Sequence, residues 1–144
     1  IIALQLALLL IIQWPIGNWL SNKGIKLGLK ISFYNFSLGT ILLCSSSYWN
    51  DGILITLISL IPLSIGLAAF LPTATEAIIK ISPPKRRGLG MALYSQCFGI
   101  SALIAPICAG KLIDNEGNAV TLWLLVSIIS IAMMPLIGKI KTIG

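Results

Sequence analysis

The chain contains no histidine, and only four of its 144 residues carry a carboxylate. Without an imidazole, neither a histidine proton relay nor an imidazole metal site can be built. Cysteine is scarce too: Cys44, Cys97 and Cys108 are an odd number, lie inside apolar stretches and lack metal-ligand spacing. They suit small packing residues, with a disulfide as the alternative. Catalytic constellations are also missing: no serine with a histidine, no carboxylate pair, no P-loop and no glycine fingerprint between a strand and a helix. Hydrolysis inside a membrane needs a nucleophile with a base partner, and the sequence offers no such pairing. No enzyme activity, cofactor or metal is expected.

Charge is the other shortage. Charged residues are 10% of the chain against 57% hydrophobic, and the mean hydropathy is +0.99. That leaves too little polar surface to coat a water-soluble domain. The net charge of +6 would suggest nucleic acid in a soluble protein. Here the basic residues cluster at the ends of apolar runs with no aromatic interleaving, so no nucleic-acid partner is expected. The lipid bilayer is the expected partner, and the clusters favour its anionic head groups.

What the chain does have is length of apolar run. A helix needs about 20 apolar residues to cross a hydrocarbon core about 30 Å thick. Five segments reach that length, at about 1–20, 31–49, 52–79, 89–110 and 119–138. Short connections rich in turn residues separate them, so consecutive spans run antiparallel. The first run lacks a basic leading region and a small-residue cleavage site, and reads as a span rather than a secretory signal. It begins mid-run and without methionine, which leads us to expect a longer protein around residues 1–144.

The sign of the charge follows the connections. Lys23, Lys26 and Lys30 follow the first run, Lys80, Lys85, Arg86 and Arg87 the third, and Lys139 and Lys141 the fifth. Asp51 follows the second, and Lys111, Asp114 and Glu116 the fourth. Nine of the ten basic side chains therefore fall on one side of a membrane, the cytoplasmic side by the positive-inside bias. Trp19, Tyr48 and Trp49 stand at span ends, where amphipathic rings settle at head-group level.

Within the spans the one acidic residue is Glu76, four residues before Lys80, so the two can pair on one helix face. A carboxylate at mid-membrane, the usual proton-coupling device, is missing. Uncharged polar residues remain, and in hydrocarbon these face the bundle interior, as interhelical hydrogen bonds or as the wall of a solute path. Gln5, Ser59, Ser64, Ser95 and Gln96 are the candidates for such a wall, with packing the alternative for each. On the fourth span Tyr94, Cys97, Ser101, Ala105 and Cys108 recur every three or four residues as a mostly small stripe, assigned to close helix packing. Pro62, Gly66 and Pro72 in the third span and Pro106 and Gly110 in the fourth mark kinks or hinges.

The segment from Gln13 to Lys26, reading QWPIGNWLSNKGIK, resembles the loop signature of the major facilitator superfamily. Gly17, Gly24 and Lys26 match that pattern, while Ser21 stands in place of its aspartate and Asn22 and Ile25 in place of basic residues. Pro84 to Gly88, with the span ending Ser101 to Gly110, is similar to the family's arginine-glycine loop followed by a proline-containing helix, with Ser101 and Ala105 where glycine is usual. The resemblance implies an all-α, polytopic transmembrane bundle, five spans of a twelve-helix transporter fold. It implies helices eight to twelve, with two to six the alternative because the halves are repeats.

By that likeness the motif loop and the acidic end of the helix two spans later form a cytoplasmic charge network, with Glu76 engaging Lys23, Lys26 or the Arg86 and Arg87 pair. The implied function is secondary transport of a small solute by alternating access, in a plasma membrane with the C-terminus cytoplasmic. The implied partners are the missing N-terminal half, the solute, and a coupling proton or ion. The rival readings are a non-transporting membrane sensor or assembly protein and, more distantly, a membrane-embedded enzyme.

Overall fold

The structure, a computed structural model, describes residues 2–21, 23–49, 52–117 and 119–139. Asn22, Asn50, Asp51 and Lys141, which carry part of the charge and turn pattern, lie outside the described residues, and of Ser21 and Glu116 only the backbone is described. Five α-helices follow one another: α1 Ile2–Ser21, α2 Ile25–Ser46, α3 Gly52–Ile81, α4 Arg87–Glu116 and α5 Val120–Lys139. A single 3-10 turn, Pro84–Arg86, separates α3 from α4. Among the described residues there is no strand, and all five helices are long and apolar enough to cross a membrane.

Two boundaries differ from the sequence reading. α2 begins at Ile25 rather than residue 31, so Lys26 and Lys30 stand on its first turns and not in a loop. Gly24 makes this possible: its φ of 82° lies in a region that other residues rarely adopt, and it turns the chain sharply after α1. A lysine on a terminal turn can lay its methylenes along apolar surface and still reach water. α4 continues to Glu116, well past residue 110, so Lys111 and Asp114 are helical. It stops where Gly117, at φ 66°, donates its amide to the Ile113 carbonyl at 2.8 Å, a left-handed glycine cap.

Pro15, Pro62, Pro72, Pro106 and Pro135 all lie inside helices. α2 and α3 form the heart of the bundle; α5 packs on α2 and α1 on α3. α4 touches α3 and α5 only briefly and none of its described side chains is fully buried, while in α1 Leu20 is the fully buried one among the described residues.

The distribution of side chains is inverted relative to a water-soluble domain. Leu10, Trp14, Ile53 and Leu103 are each at least 70% exposed, while Ser32, Ser37, Thr40, Ser59, Ser64 and Thr73 are buried. Lipid solvates the large apolar groups as well as a core would, so the interior goes to small residues and hydroxyls that let backbones approach. This is a multi-pass membrane protein.

That close approach is concentrated between α2 and α3. Ser32 donates its hydroxyl to the Gly66 carbonyl at 2.8 Å, and Phe36 and Phe33 meet Phe70 edge to face. Gly39 lies so close to Leu63 that an added Cβ would come within 2.6 Å of its side chain. At the far end of α2 the Cys44 thiol donates to the Val120 carbonyl at 3.5 Å, tying α2 to the start of α5.

Candidate functional site

The end of α1, the turn at Gly24 and the second half of α3 converge on a small cleft. Leu20 and Ile25 on either side of the turn are both buried, at 6% and 4% exposure, which pins the turn against the bundle. Three residues on, Gly28 faces Thr73 and Leu20. A Cβ at Gly28 would collide with Thr73 Oγ1 and come within 2.8 Å of Thr73 Cγ2 and 2.7 Å of Leu20 Cδ2. The contact therefore requires a residue with no side chain. Thr73 is free to present its methyl and hydroxyl there because the hydroxyl donates back to the Ala69 carbonyl.

The resulting cavity, of about 80 Å³, is lined by Gly17, Leu20, Gly24, Pro72, Thr73 and Glu76. Gly17 near the end of α1, Gly24 in the turn that follows and Glu76 from a helix far along the chain thus share one small space. Beside it an open groove of about 410 Å³ runs along α1, lined by Gln13, Trp14, Gly17, Asn18 and Pro72. Gly17 and Pro72 belong to both. Gly17 has open space where a Cβ would be.

The charges around the cleft are held locally. Glu76 Oε1 accepts from Lys80 Nζ at 3.0 Å, one helical turn away, with both side chains close to half exposed. That is the pairing expected from their spacing. Lys23 lies 4.5 Å from the centroid of the Trp19 ring, a cation–π contact at a span end. Among the described residues, Lys80 is the ion-pair partner of Glu76; Lys26, Arg86 and Arg87 are exposed. The two arginines straddle the step from the 3-10 turn into α4, where the Arg86 amide donates to the Pro83 carbonyl at 2.8 Å.

The polar residues proposed for a solute path fall in three different settings. Gln5 is half-buried on α1. Ser59 and Ser64 are fully buried on α3. The Ser59 hydroxyl donates to the Thr56 carbonyl at 2.7 Å, whereas the buried Ser64 oxygen has no hydrogen-bond partner among the described residues. Ser95 and Gln96 are exposed on α4. From Cys97 onward the small stripe of α4 is exposed as well, at Cys97, Ser101, Ala105 and Cys108, as is Pro106, while Gly110 is half-buried with open space where a Cβ would be.

Sequence reading missed the small-residue seam of α2. Gly28, Ser32 and Gly39 recur at four and seven residues, a helical spacing that was available as a signal. Thr73 carried none, because nothing in the sequence aligns it with residue 28.

A family model described as Major Facilitator Superfamily matches residues 1–140. No curated protein and no solved structure matches the chain.

Proposed function

The chain belongs to the major facilitator superfamily, and from that premise we propose that it is one helical half of a secondary transporter moving a small solute by alternating access. Members of the family are membrane transporters and not enzymes, which accords with a chain lacking any catalytic constellation. The observation that carries the reading is the shared cleft of Gly17, Gly24 and Glu76. The family's motif loop and the acid two spans later are the two parts of its cytoplasmic latch, and here they line one cavity. On this reading Glu76 exchanges its Lys80 partner for Lys23, Lys26, Arg86 or Arg87 as the transporter changes state. An exposed pair contributes little stability, roughly 0.3–0.5 kcal/mol, so it is suited to exchange.

The exposed lengths of α1 and α4 then face the other half of the protein. Ser101, Ala105, Pro106 and Gly110 form the close-packing part of that face. Gln5, Ser95 and Gln96 form its polar part, beside a solute site near the membrane midplane. Ser59, bonded within its own helix, belongs to packing, whereas the unpartnered Ser64 hydroxyl keeps its place as a pathway candidate. The five helices are helices eight to twelve. The basic connections and the C-terminus face the cytoplasm of a plasma membrane. A coupling proton, if one is carried, titrates on a group in the other half.

The test is transport itself. Protein reconstituted into liposomes should show saturable counterflow for at least one member of a broad solute panel. Folded protein that exchanges no solute would return the sensor or assembly reading.

A further inference from the structure

α2 and α5 run antiparallel: Cys44 reaches Val120 at one end, and toward the other end a groove of about 620 Å³ is lined by both helices. Lys30, Tyr34 and Asn35 line its α2 side and Met134, Pro135 and Gly138 its α5 side. The space follows from the α5 residues. Gly138 has no side chain and nothing within 4 Å of where a Cβ would be, and the compact ring of Pro135 lies one turn earlier.

The groove is apolar along its floor and basic at its mouth. Lys30 is exposed on its wall, Lys26 stands one turn before it, and Lys139 follows Gly138. Among the described residues none of these three lysines has an acidic partner. Tyr34, 61% exposed, adds a hydroxyl, and the Asn35 amide is fixed by donating to the Ile31 carbonyl at 2.8 Å. An apolar slot between two membrane helices, opening beneath unpaired cations at the head-group level, is complementary to a lipid carrying net negative charge.

We propose that this groove binds one anionic glycerophospholipid, with an acyl chain against Met134, Pro135 and Gly138 and the phosphate held by Lys30 with Lys139. A zwitterionic lipid fits the slot equally well but brings its own cation to the lysines. The charge therefore supplies the selectivity and the slot supplies the position. The inference needs only that the helices cross a bilayer and is independent of what the protein transports.

Purified, delipidated protein titrated with dioleoyl phosphatidylglycerol or dioleoyl phosphatidylcholine, and read by native mass spectrometry, tests it. Phosphatidylglycerol should bind more tightly than phosphatidylcholine at one site. Lys30→Gln should weaken phosphatidylglycerol about fivefold, the effect of one basic residue near a membrane surface, and leave phosphatidylcholine unchanged. Gly138→Leu should fill the slot and weaken both lipids, whereas Lys111→Gln, outside the groove, should change neither. Equal affinity for the two lipids, or an equal loss in Lys30→Gln and Lys111→Gln, would overturn the proposal. So would unchanged binding in both groove variants, which would mean that protein and not lipid covers the groove.

Discussion

Ser32 on α2 and Gly66 on α3 are joined by a buried hydrogen bond of 2.8 Å, from the serine hydroxyl to the glycine carbonyl. The bond exists because neither residue holds the helices apart. A Cβ at Gly66 would sit 3.1 Å from the Ser32 carbonyl oxygen and 3.3 Å from the Phe36 ring. Backbone proximity and the hydrogen bond are therefore separable, and they should differ in their effect on stability.

Gly66→Val, which forces the two helices apart, should destabilise the protein by about 1–3 kcal/mol. Ser32→Ala keeps the approach and loses only the bond, worth about 0.6 kcal/mol in membrane proteins. Thermal unfolding in detergent measures both. An alanine variant as damaging as the valine variant would place the stability in the bond instead.

Gly28 and Thr73 make a second interlock, and its prediction is a coupling. Gly28→Ala alone should destabilise, because the new methyl meets both Thr73 branches. Thr73→Ala removes those branches, so the double variant should recover about 1 kcal/mol relative to the sum of the singles. Strict additivity in a double-mutant cycle would mean that the Leu20 contact dominates.

Glu76→Gln should shift thermal stability by no more than about 0.5 kcal/mol, since its exposed partner Lys80 gives a weak ion pair. If Glu76 serves the latch, uptake of an identified solute should fall by far more than that stability change accounts for. Lys80→Gln should leave uptake near the parent value. Similar uptake losses in both variants would assign the role to the local pair.

The charge asymmetry predicts an orientation. In a background with Cys44, Cys97 and Cys108 replaced, Lys85→Cys should react with an impermeant thiol reagent only from the cytoplasmic side. Asn115→Cys should react only from the outside. Swapped accessibility would invert the topology.

Gln96 is exposed on α4. Gln96→Leu should lower solute affinity roughly tenfold, the effect of one lost hydrogen bond to a desolvated group, with protein abundance unchanged. Parallel losses of abundance and uptake would make Gln96 a packing residue between the two halves.

The fold class was legible in the residues because hydrocarbon thickness sets a length, and five apolar runs meet it. The Glu76–Lys80 pair was legible because four residues make one helical turn. The start of α2 was not, because Lys26 and Lys30 carry the composition of a loop while their flexible stems let them sit on a helix. The cleft was legible only in part. Gly17, Gly24 and Glu76 stood out through a likeness of motif, whereas Gly28 and Thr73 gain their meaning from contact with each other.

The sequence alone therefore determined that lipid is the solvent, how many times the described chain can cross it, and which ends carry the positive charge. Only the tertiary structure decided that α2 and α3 form the core, that α1 and α4 stand largely uncovered, and that α2 and α5 open into a basic-mouthed groove. The reason is physical: the helices are apolar on nearly every face, so hydropathy distinguishes membrane from water but not one helix face from another. In lipid that choice falls to shape, to where a missing side chain lets two backbones meet and where a hydroxyl can bridge them.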